Sequence, residues 1–376
     1  MVFKWMRTIT IRVILTTIDA RGPGGQAGAR GSLAGMSPVP VRILLSQTFN
    51  PWFNLATEDW IFREMDTRTR TLFLWRNAET VVIGRNQNPW SECNLTRMEE
   101  DQVFLARRTS GGGAVFHDLG NTCFTFLSSR EGYDKATNVT ILLEALKRLG
   151  VVAESAGRND LVIPLPDGPR KISGSAYRET RERAFHHGTF LISTNLSRLS
   201  NYLTPHPKKL ESKGHASVRA RVMNITDHQP EVTHESLVQA LISAFQEHHG
   251  ATAEPELLDQ AFLESQPSLA ETFERFSSWD WRFGNAPQFH HQMAEYLSWG
   301  FFHVHLDAEN GHVRRAQVFS DALHSEPVQE LQDALVGTPY SRAGVVRAVA
   351  GVKARYPALE RELGEFEAWL MTQVEV

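Results

Sequence analysis

Residues 157–179 read GRNDLVIPLPDGPRKISGSAYRE. Two strand-like runs, Asp160 to Ile163 and Arg170 to Tyr177, flank PLPDGP, whose prolines and glycine mark a turn, so the segment is expected to form a β-hairpin. Period-two alternation within KISGSAY sets Lys171, Ser173, Ser175 and Tyr177 on one face and Ile172, Gly174 and Ala176 on the other. One face is then polar and the other small and apolar. Strands joined this way run antiparallel, which argues against a doubly wound parallel sheet.

Segments of the same kind recur on both sides. VRILL from Val41 reads as a strand, and Leu55, Ile61, Phe62 and Met65 recur at near-helical spacing. TLFLW (Thr71 to Trp75) and TVVIG (Thr80 to Gly84) are β-branched and aromatic runs parted by a polar turn, a hairpin signal. Thr122 to Leu127, Val151 to Glu154 and Gly188 to Ile192 add strands, and Thr140 to Leu149 is a helix closed by Gly150. SSWDWRFGNAPQ, from Ser277 to Gln288, reads as a packed strand leaving this domain through a short linker, with a boundary near 284. Beyond it, FFHVHLD and HVRRAQVFSD flank Asn310 and Gly311, a strong hairpin signal. Helices follow from Pro327 to Val336, from a Ser341 cap to about Arg355, and from Leu359 to Met371. Many hairpin-like strands with few helices between them predict an α+β fold. It comprises a mixed, largely antiparallel sheet with flanking helices over residues 36–283 and a smaller α+β accessory domain over 290–376.

With 376 residues, two domains are the natural division. Hydrophobic residues at 41% and charged residues at 22% suit a globular chain with a proper core. The net charge of −4 supplies no global positive field for nucleic acid or an anionic membrane. Two cysteines, Cys93 and Cys123, are too few for a disulfide framework or a four-thiolate zinc site, and a reducing compartment fits. No apolar run is long enough to span a membrane. Residues 1 to 35, with RGPGGQAGARGSLAG, cannot build a core; they read as sequence preceding a start at Met36 or as a transit-like extension.

Four segments carry chemistry. In RRTSGGGAVFHD, Arg107 to Asp118, three glycines let backbone N–H groups approach an anion closely, and Arg107 and Arg108 can supply phosphate-directed charge; a flexible turn is the plain alternative. The stretch is not a GxxxxGK[ST] loop, since no lysine follows the glycines. Lys171 on its strand is either a ligand for phosphate or carboxylate, because a buried ammonium is costly without an anion, or a solvated edge residue. AFHHGTFLI puts His186 and His187 on opposite faces, which suits a hydrogen-bonded histidine better than zinc. Lys208 to Arg221, KKLESKGHASVRAR, is locally basic and reads equally as a solvated loop or as a lid over phosphates.

RRTSGGGAVFHD, GRND, KISGSAYRET, HHGTFL and KGHASVRARVMN together resemble the bacterial lipoate protein ligase family, in order and in spacing. The likeness runs from about Val41 to the C-terminal end and includes NPWFNLATED and LFLWRNAETVVIGRNQNPWSECN. It implies a catalytic domain shared with biotin ligases and a C-terminal accessory domain. It also implies ATP as co-substrate with Mg2+, (R)-lipoate activated as lipoyl-AMP, and transfer of the lipoyl group to a carrier lysine. The carriers implied are the lipoyl domains of 2-oxoacid dehydrogenase complexes and the glycine cleavage H protein. A monomeric cytoplasmic enzyme is expected, without nucleic acid or membrane as partner.

By the same resemblance, Lys171 looks like the essential lysine that contacts the lipoate carboxyl and the α-phosphate, orienting rather than attacking. Arg108, Ser110, Gly112, Gly113, Ala114, Val115 and Phe116 look like the ATP and lipoyl-AMP cradle. Asn159 and Asp160 resemble its adenylate and metal side, with Asp160 as the metal ligand. Arg178 is carried over to the nucleotide, and His187, with Lys171 and Gly113, to lipoate. An apolar slot for the dithiolane chain is expected beside the glycines, lined by Val81, Ile83 or Phe116. An octanoyl or lipoyl transferase would want a nucleophilic cysteine in a comparable segment. A biotin ligase repressor would want a helix-turn-helix domain ahead of the catalytic one, and a silent lipoate-binding protein would not need Lys171, Arg108 and all three glycines.

Overall fold

The computed structural model describes residues 39–203, 222–283, 291–309 and 311–374, the side chains of residues 90, 91 and 199 excepted. The expectations for residues 1–35, for Lys208 to Arg221, for Asn310 and for the linker after residue 283 lie outside that range.

An eight-stranded sheet forms the body of the protein. Its strands are β1 (Val41–Ser46), β2 (Arg70–Trp75), β6 (Asn121–Ser129), β7 (Glu154–Ala156), β8 (Asp160–Ile163), β9 (Arg170–Glu179), β10 (Arg183–Leu191) and β11 (Pro255–Leu258). They lie in the order β11-β1-β2-β6-β10-β9-β8-β7. β1 runs parallel to β2 and β11, and every other neighbouring pair is antiparallel. The fold is α+β with a mixed, largely antiparallel sheet, as the hairpin-rich sequence implies.

Helices cover both faces. Lys135–Arg148 (α2) and His234–His249 (α3) pack their apolar stripes on one face, against Phe124, Phe126, Phe190, Leu161 and Ile172. Pro51–Glu64 (α1) and Pro267–Ser277 (α4) cover the other, over Phe73, Trp75, Cys123 and Phe185. Local chemistry sets the ends. Asn50 and Asp134 accept the first backbone N–H groups of α1 and α2, Thr233 closes a capping box on α3, and Gly250 ends α3 at φ +62°.

The expected pairing of Thr71 to Trp75 with Thr80 to Gly84 does not occur. β3 (Thr80–Ile83) leaves for a separate sheet, β4-β3-β5, with β4 (Phe104–Arg107) and β5 (Val115–His117). The physical reason lies in the partners. β2 is taken on both edges by β1 and β6, so the short turn cannot bring β3 beside it. Val151 to Glu154 is likewise not a strand; Val151 packs into the core and β7 begins at Glu154.

Trp279–Phe283, expected as a strand, is a short helix. Ser278 Oγ accepts the Trp281 N–H, and the Arg107 guanidinium takes the carbonyls of Trp281 and Arg282, which overrides the strand preference of the aromatics. Towards the C-terminus, β12 (His291–Leu297), β13 (Gly300–Glu309) and β14 (His312–Ser320) make an antiparallel sheet, with Gly311 at φ +74° in the expected hairpin. Ser325–Leu335 (α5), Arg342–Arg355 (α6) and Glu360–Gln373 (α7) pack on it around their own apolar cluster, centred on Phe302, Val304, Leu331 and Phe366. Ser341 caps α6 through the Gly344 N–H.

Candidate active site

The glycine loop joins β4 to β5, from Arg108 to Ala114. Its glycines are needed for space as much as for freedom. A methyl group on Gly111 would sit 2.3 Å from the Ala322 carbonyl oxygen, and one on Gly84 would sit 2.2 Å from that of Gly112. Gly112 also holds φ +94°. Gly113 faces open space, where a methyl group meets nothing within 4 Å.

Arg107 and Arg108 lie beneath this loop, both buried, and their donors go to backbone carbonyls rather than outward. Arg108 Nη2 donates to Gly111 O at 2.7 Å and to Gly113 O at 2.8 Å, Nη1 to Val82 O at 3.1 Å, and Nε to Ser110 Oγ at 3.1 Å. Arg107 Nη1 reaches Arg85 O at 2.8 Å and Gln87 O at 2.7 Å. Burial pushes both guanidinium pKa values down to about 10, leaving each charged at neutral pH.

Ser110 connects the loop to the large sheet. Its Oγ lies 2.8 Å from His187 Nε2, while His187 Nδ1 lies 2.8 Å from Glu58 Oε1 on α1. Thr125 Oγ1 donates to the same Glu58 oxygen at 2.6 Å. With the Glu58 oxygen as acceptor, the imidazole donates a hydrogen bond from Nδ1–H and leaves Nε2 to accept from Ser110 Oγ–H. Glu58 is absent from the sequence reading. A signal was there: Leu55, Glu58, Phe62 and Met65 share one face of α1, which sets a carboxylate in an apolar stripe.

Lys171 shows how far simple alternation carries. Across the sheet, Trp75, Cys123, Thr189, Gly174 and Asp160 stand in one row, and Phe73, Thr125, His187 and Ala176 in the next. The β8–β9 register shifts between Leu161 and Val162, so that Leu161 faces Ser173 but Val162 faces Lys171, with Ile172 as the extra residue. Lys171 is thereby moved off the face of Ser173, Ser175 and Tyr177, where alternation sets it, and onto the face of Gly174, Ala176 and His187. Its ammonium lies 2.7 Å from Asp160 Oδ1, both side chains about one-third exposed at 35% and 34%. A methyl group on Gly174 would come within 2.9 Å of Lys171 Nζ.

The other expected residues fall into three settings. Asn159 is tied to Ser175, its amide donating to Ser175 O at 2.6 Å and its carbonyl accepting the Ser175 N–H at 2.8 Å. Arg178 Nη1 meets the buried Asp59 at 3.0 Å, and its Nε meets Glu326 on α5 at 3.1 Å. Val81, Ile83 and Phe116, expected beside the glycines, are buried side chains. They close a satellite core with Cys93, Met98, Leu105 and Tyr202, where Phe116 stacks on Tyr202 at 5.7 Å, and Ala114 packs against it. The cause is strand parity: β3 and β5 turn Val82 and Val115, not their neighbours, toward Trp75 and Cys123.

His186 points to the opposite face, among the rings of Phe124, Phe126 and Tyr177, with neither ring nitrogen hydrogen-bonded; burial lowers its pKa to about 3. Among the described residues no three His, Cys, Asp or Glu side chains gather at metal-binding distance. Asp160 Oδ1 already meets one cation, the Lys171 ammonium at 2.7 Å. No helix among the described residues is long and apolar enough to cross a membrane.

The family model of the lipoyl protein ligase A/B catalytic domain matches residues 50–246, and that of the bacterial lipoate protein ligase C-terminus matches residues 286–370. A lipoate-protein ligase A of Bdellovibrio bacteriovorus is 50% identical over 336 residues, covering 89% of this chain and 99% of that one. Among solved structures, P. falciparum LipL1 in complex with lipoate superimposes with a TM-score of 0.77 at 30% identity, over 88% of this chain and 99% of that chain. A lipoate-protein ligase A bound with ATP matches at 28% identity and TM-score 0.55, over 65% of this chain and 99% of that chain. A bipartite lipoate protein ligase of Thermoplasma acidophilum, solved with its E2 lipoyl domain, matches at 29% and 0.59, over 67% and 100%. With matches to both the catalytic and the C-terminal models and a 50% identical relative spanned almost completely, the chain belongs to the lipoate protein ligase family, and is a ligase.

Proposed function

We propose that this ligase joins lipoate to a carrier lysine in two steps at the face shared by Lys171, Asp160 and His187. In the first, a carboxylate oxygen of lipoate attacks the α-phosphorus of ATP, the bond to the bridging oxygen breaks, and pyrophosphate leaves. In the second, the ε-amine of a carrier lysine attacks the lipoyl carbonyl, AMP departs with the bonding electrons, and the amine proton passes to solvent. Lys171 holds the carboxylate and the α-phosphate together and stabilises the charge that develops between them. Magnesium, carried by the phosphates, would screen their charge, with Asp160 as its protein carboxylate.

The observation that carries this reading is the displaced register of β9. It turns a one-third-exposed lysine side chain onto the face that carries Gly174, where a side chain would crowd it. The lipoyl chain then runs along Trp75, Val82, Val115 and Cys123 toward His187. Gly113 offers its backbone N–H to the nucleotide, as does Gly112 once its N–H leaves Ala322 O, Ser110 and Arg108 brace that loop, and Arg178 meets the phosphates. The carriers are lipoyl domains of 2-oxoacid dehydrogenase complexes and the glycine cleavage H protein. The division into a catalytic part, 36–283, and an accessory part, 290–376, belongs to the same proposal and is supported by the separate apolar cluster of the latter.

Transfer from another acyl carrier without ATP is disfavoured by the thiols. Burial raises the Cys93 pKa to about 12 and that of Cys123 well above its ordinary value, so neither is a thiolate nucleophile at neutral pH. The deciding experiment is lipoate-dependent exchange of labelled pyrophosphate into ATP by purified protein with magnesium. Exchange without any carrier is the expected result; its absence, with the carrier still lipoylated from an acyl donor, ends the proposal.

A further inference from the structure

Arg178, which the arrangement above gives to phosphate, and its neighbour Arg85 both meet the same carboxylate in this structure. Glu326 Oε1 lies 3.1 Å from Arg178 Nε and 3.6 Å from Arg85 Nη1. Glu326 belongs to α5 in the C-terminal part, not to the sheet that carries Lys171. Its other oxygen accepts from Ser325 Oγ at 3.0 Å.

The surrounding segment is seated on the loops next to the site. The Gly112 N–H donates to Ala322 O at 2.9 Å, the Ser320 N–H to Asn86 O at 2.6 Å, and Asn86 Nδ2 to Ser325 O at 2.9 Å. Gly112 N–H is itself a donor that an anion on the glycine loop would use.

Local charge is unbalanced. Asp59, only 2% exposed, meets Arg178, Arg275 and Arg63, so one carboxylate serves three guanidinium groups. Arg85 adds a fourth cation, and Arg178 and Arg275 press its pKa down while Glu326 raises it, burial being the largest effect. Glu326 is thus the second carboxylate among four arginines. It is also the more replaceable one, since its side chain is 24% exposed against 3% for Asp59.

We propose that Glu326 is a built-in anion standing where a phosphate group of the nucleotide binds, so that ATP must displace it from Arg178 and Arg85. The proposal rests on the ATP-dependent reading above. A ligand that must first expel a competitor binds with an affinity reduced by the fraction of molecules already free of it. Glu326 therefore sets the affinity for the phosphate-bearing substrate without touching lipoate.

The test compares wild type, Glu326→Gln and Glu326→Ala by calorimetric titration with ATP, pyrophosphate and adenosine, with Glu309→Gln as a control. Glu309 pairs with Arg314 on the exposed hairpin, at 3.0 Å. Both Glu326 variants are expected to bind ATP and pyrophosphate at least about fivefold more tightly, the low end of a typical coupling between sites, with adenosine unaffected. Equal phosphate affinity in wild type and both variants overturns the proposal. So does an equal gain for adenosine, which would make Glu326 a barrier to entry rather than an anion, and so does a lack of binding of either phosphate probe to all four proteins. Tighter ATP binding without lipoate-dependent exchange would instead sustain this inference and end the adenylation reading.

Discussion

At the scale of single residues, two substitutions isolate what Lys171 does. Lys171→Ala removes the charge and is expected to lower pyrophosphate exchange by at least ~10²-fold, as for an oxyanion contact worth ~2.7–4 kcal/mol. Gly174→Ala keeps the charge but pushes on it, since the new methyl group would lie 2.9 Å from Nζ. It should lower exchange while moving the urea midpoint little, because the far end of a lysine can swing aside at small cost in stability. Wild-type exchange in both variants would remove Lys171 from the reaction. The histidines make a pH statement. His117 and His186 are buried, and their pKa values fall to about 3, burial being the main cause. The unfolded chain therefore binds protons between pH 6.5 and 3 that the folded chain refuses, so stability is complete above 6.5 and declines as the pH falls. From pH 6.5 to 5.5 each contributes a loss of about 1 kcal/mol, since a full pKa unit is worth about 1.36 kcal/mol. Urea unfolding at the two values checks it, and a flat profile would show that both accept protons in the folded state.

Secondary-structure elements mark where the sequence could be read and where it could not. The β8–β9 hairpin and the helices ended by Gly150 and Gly337 were legible because turn residues and periodicity agree there. β3 was misassigned because short-range signals cannot tell which edge of β2 is free, a matter settled by β1 and β6 from either side. The bulge at Ile172 was hidden for a related reason: one extra residue reverses every assignment on its far side, and only the isolated Gly174 hinted at it. Lys171 therefore stands on the face opposite to the one that alternation predicts. Glu58 and Asp59 were missed because acids on a helix usually belong to its wet side, whereas α1 buries both. Helix α2 offers a direct element-level check. Asp134 accepts the Ala136 N–H at 3.0 Å and the Thr137 N–H at 3.2 Å. Asp134→Ala is expected to cost ~1 kcal/mol in a denaturant titration and to spare catalysis, since α2 lies on the face away from Lys171.

For the whole molecule, the test is whether the two parts proposed here have independent cores. In the proposed accessory part, described residues between Met293 and Val374 form their own apolar cluster, with Phe302, Val304, Leu331 and Phe366 fully buried. Expressed alone, that fragment is expected to show mixed helix and strand by circular dichroism and a cooperative thermal transition. A fragment that melts without a transition would mean that its core depends on the larger sheet.

Arg107 and Arg108 bring a different consequence. Both are buried, and among the described residues neither joins an ion pair; carbonyl oxygens hold them instead. Two fixed charges therefore underlie the glycine loop as a standing electrostatic potential, present before any ligand arrives and insensitive to exchange of partners. An incoming phosphate feels that potential with no reorganisation of the protein, so replacing either arginine by an uncharged side chain should flatten the landscape that draws anions to the loop.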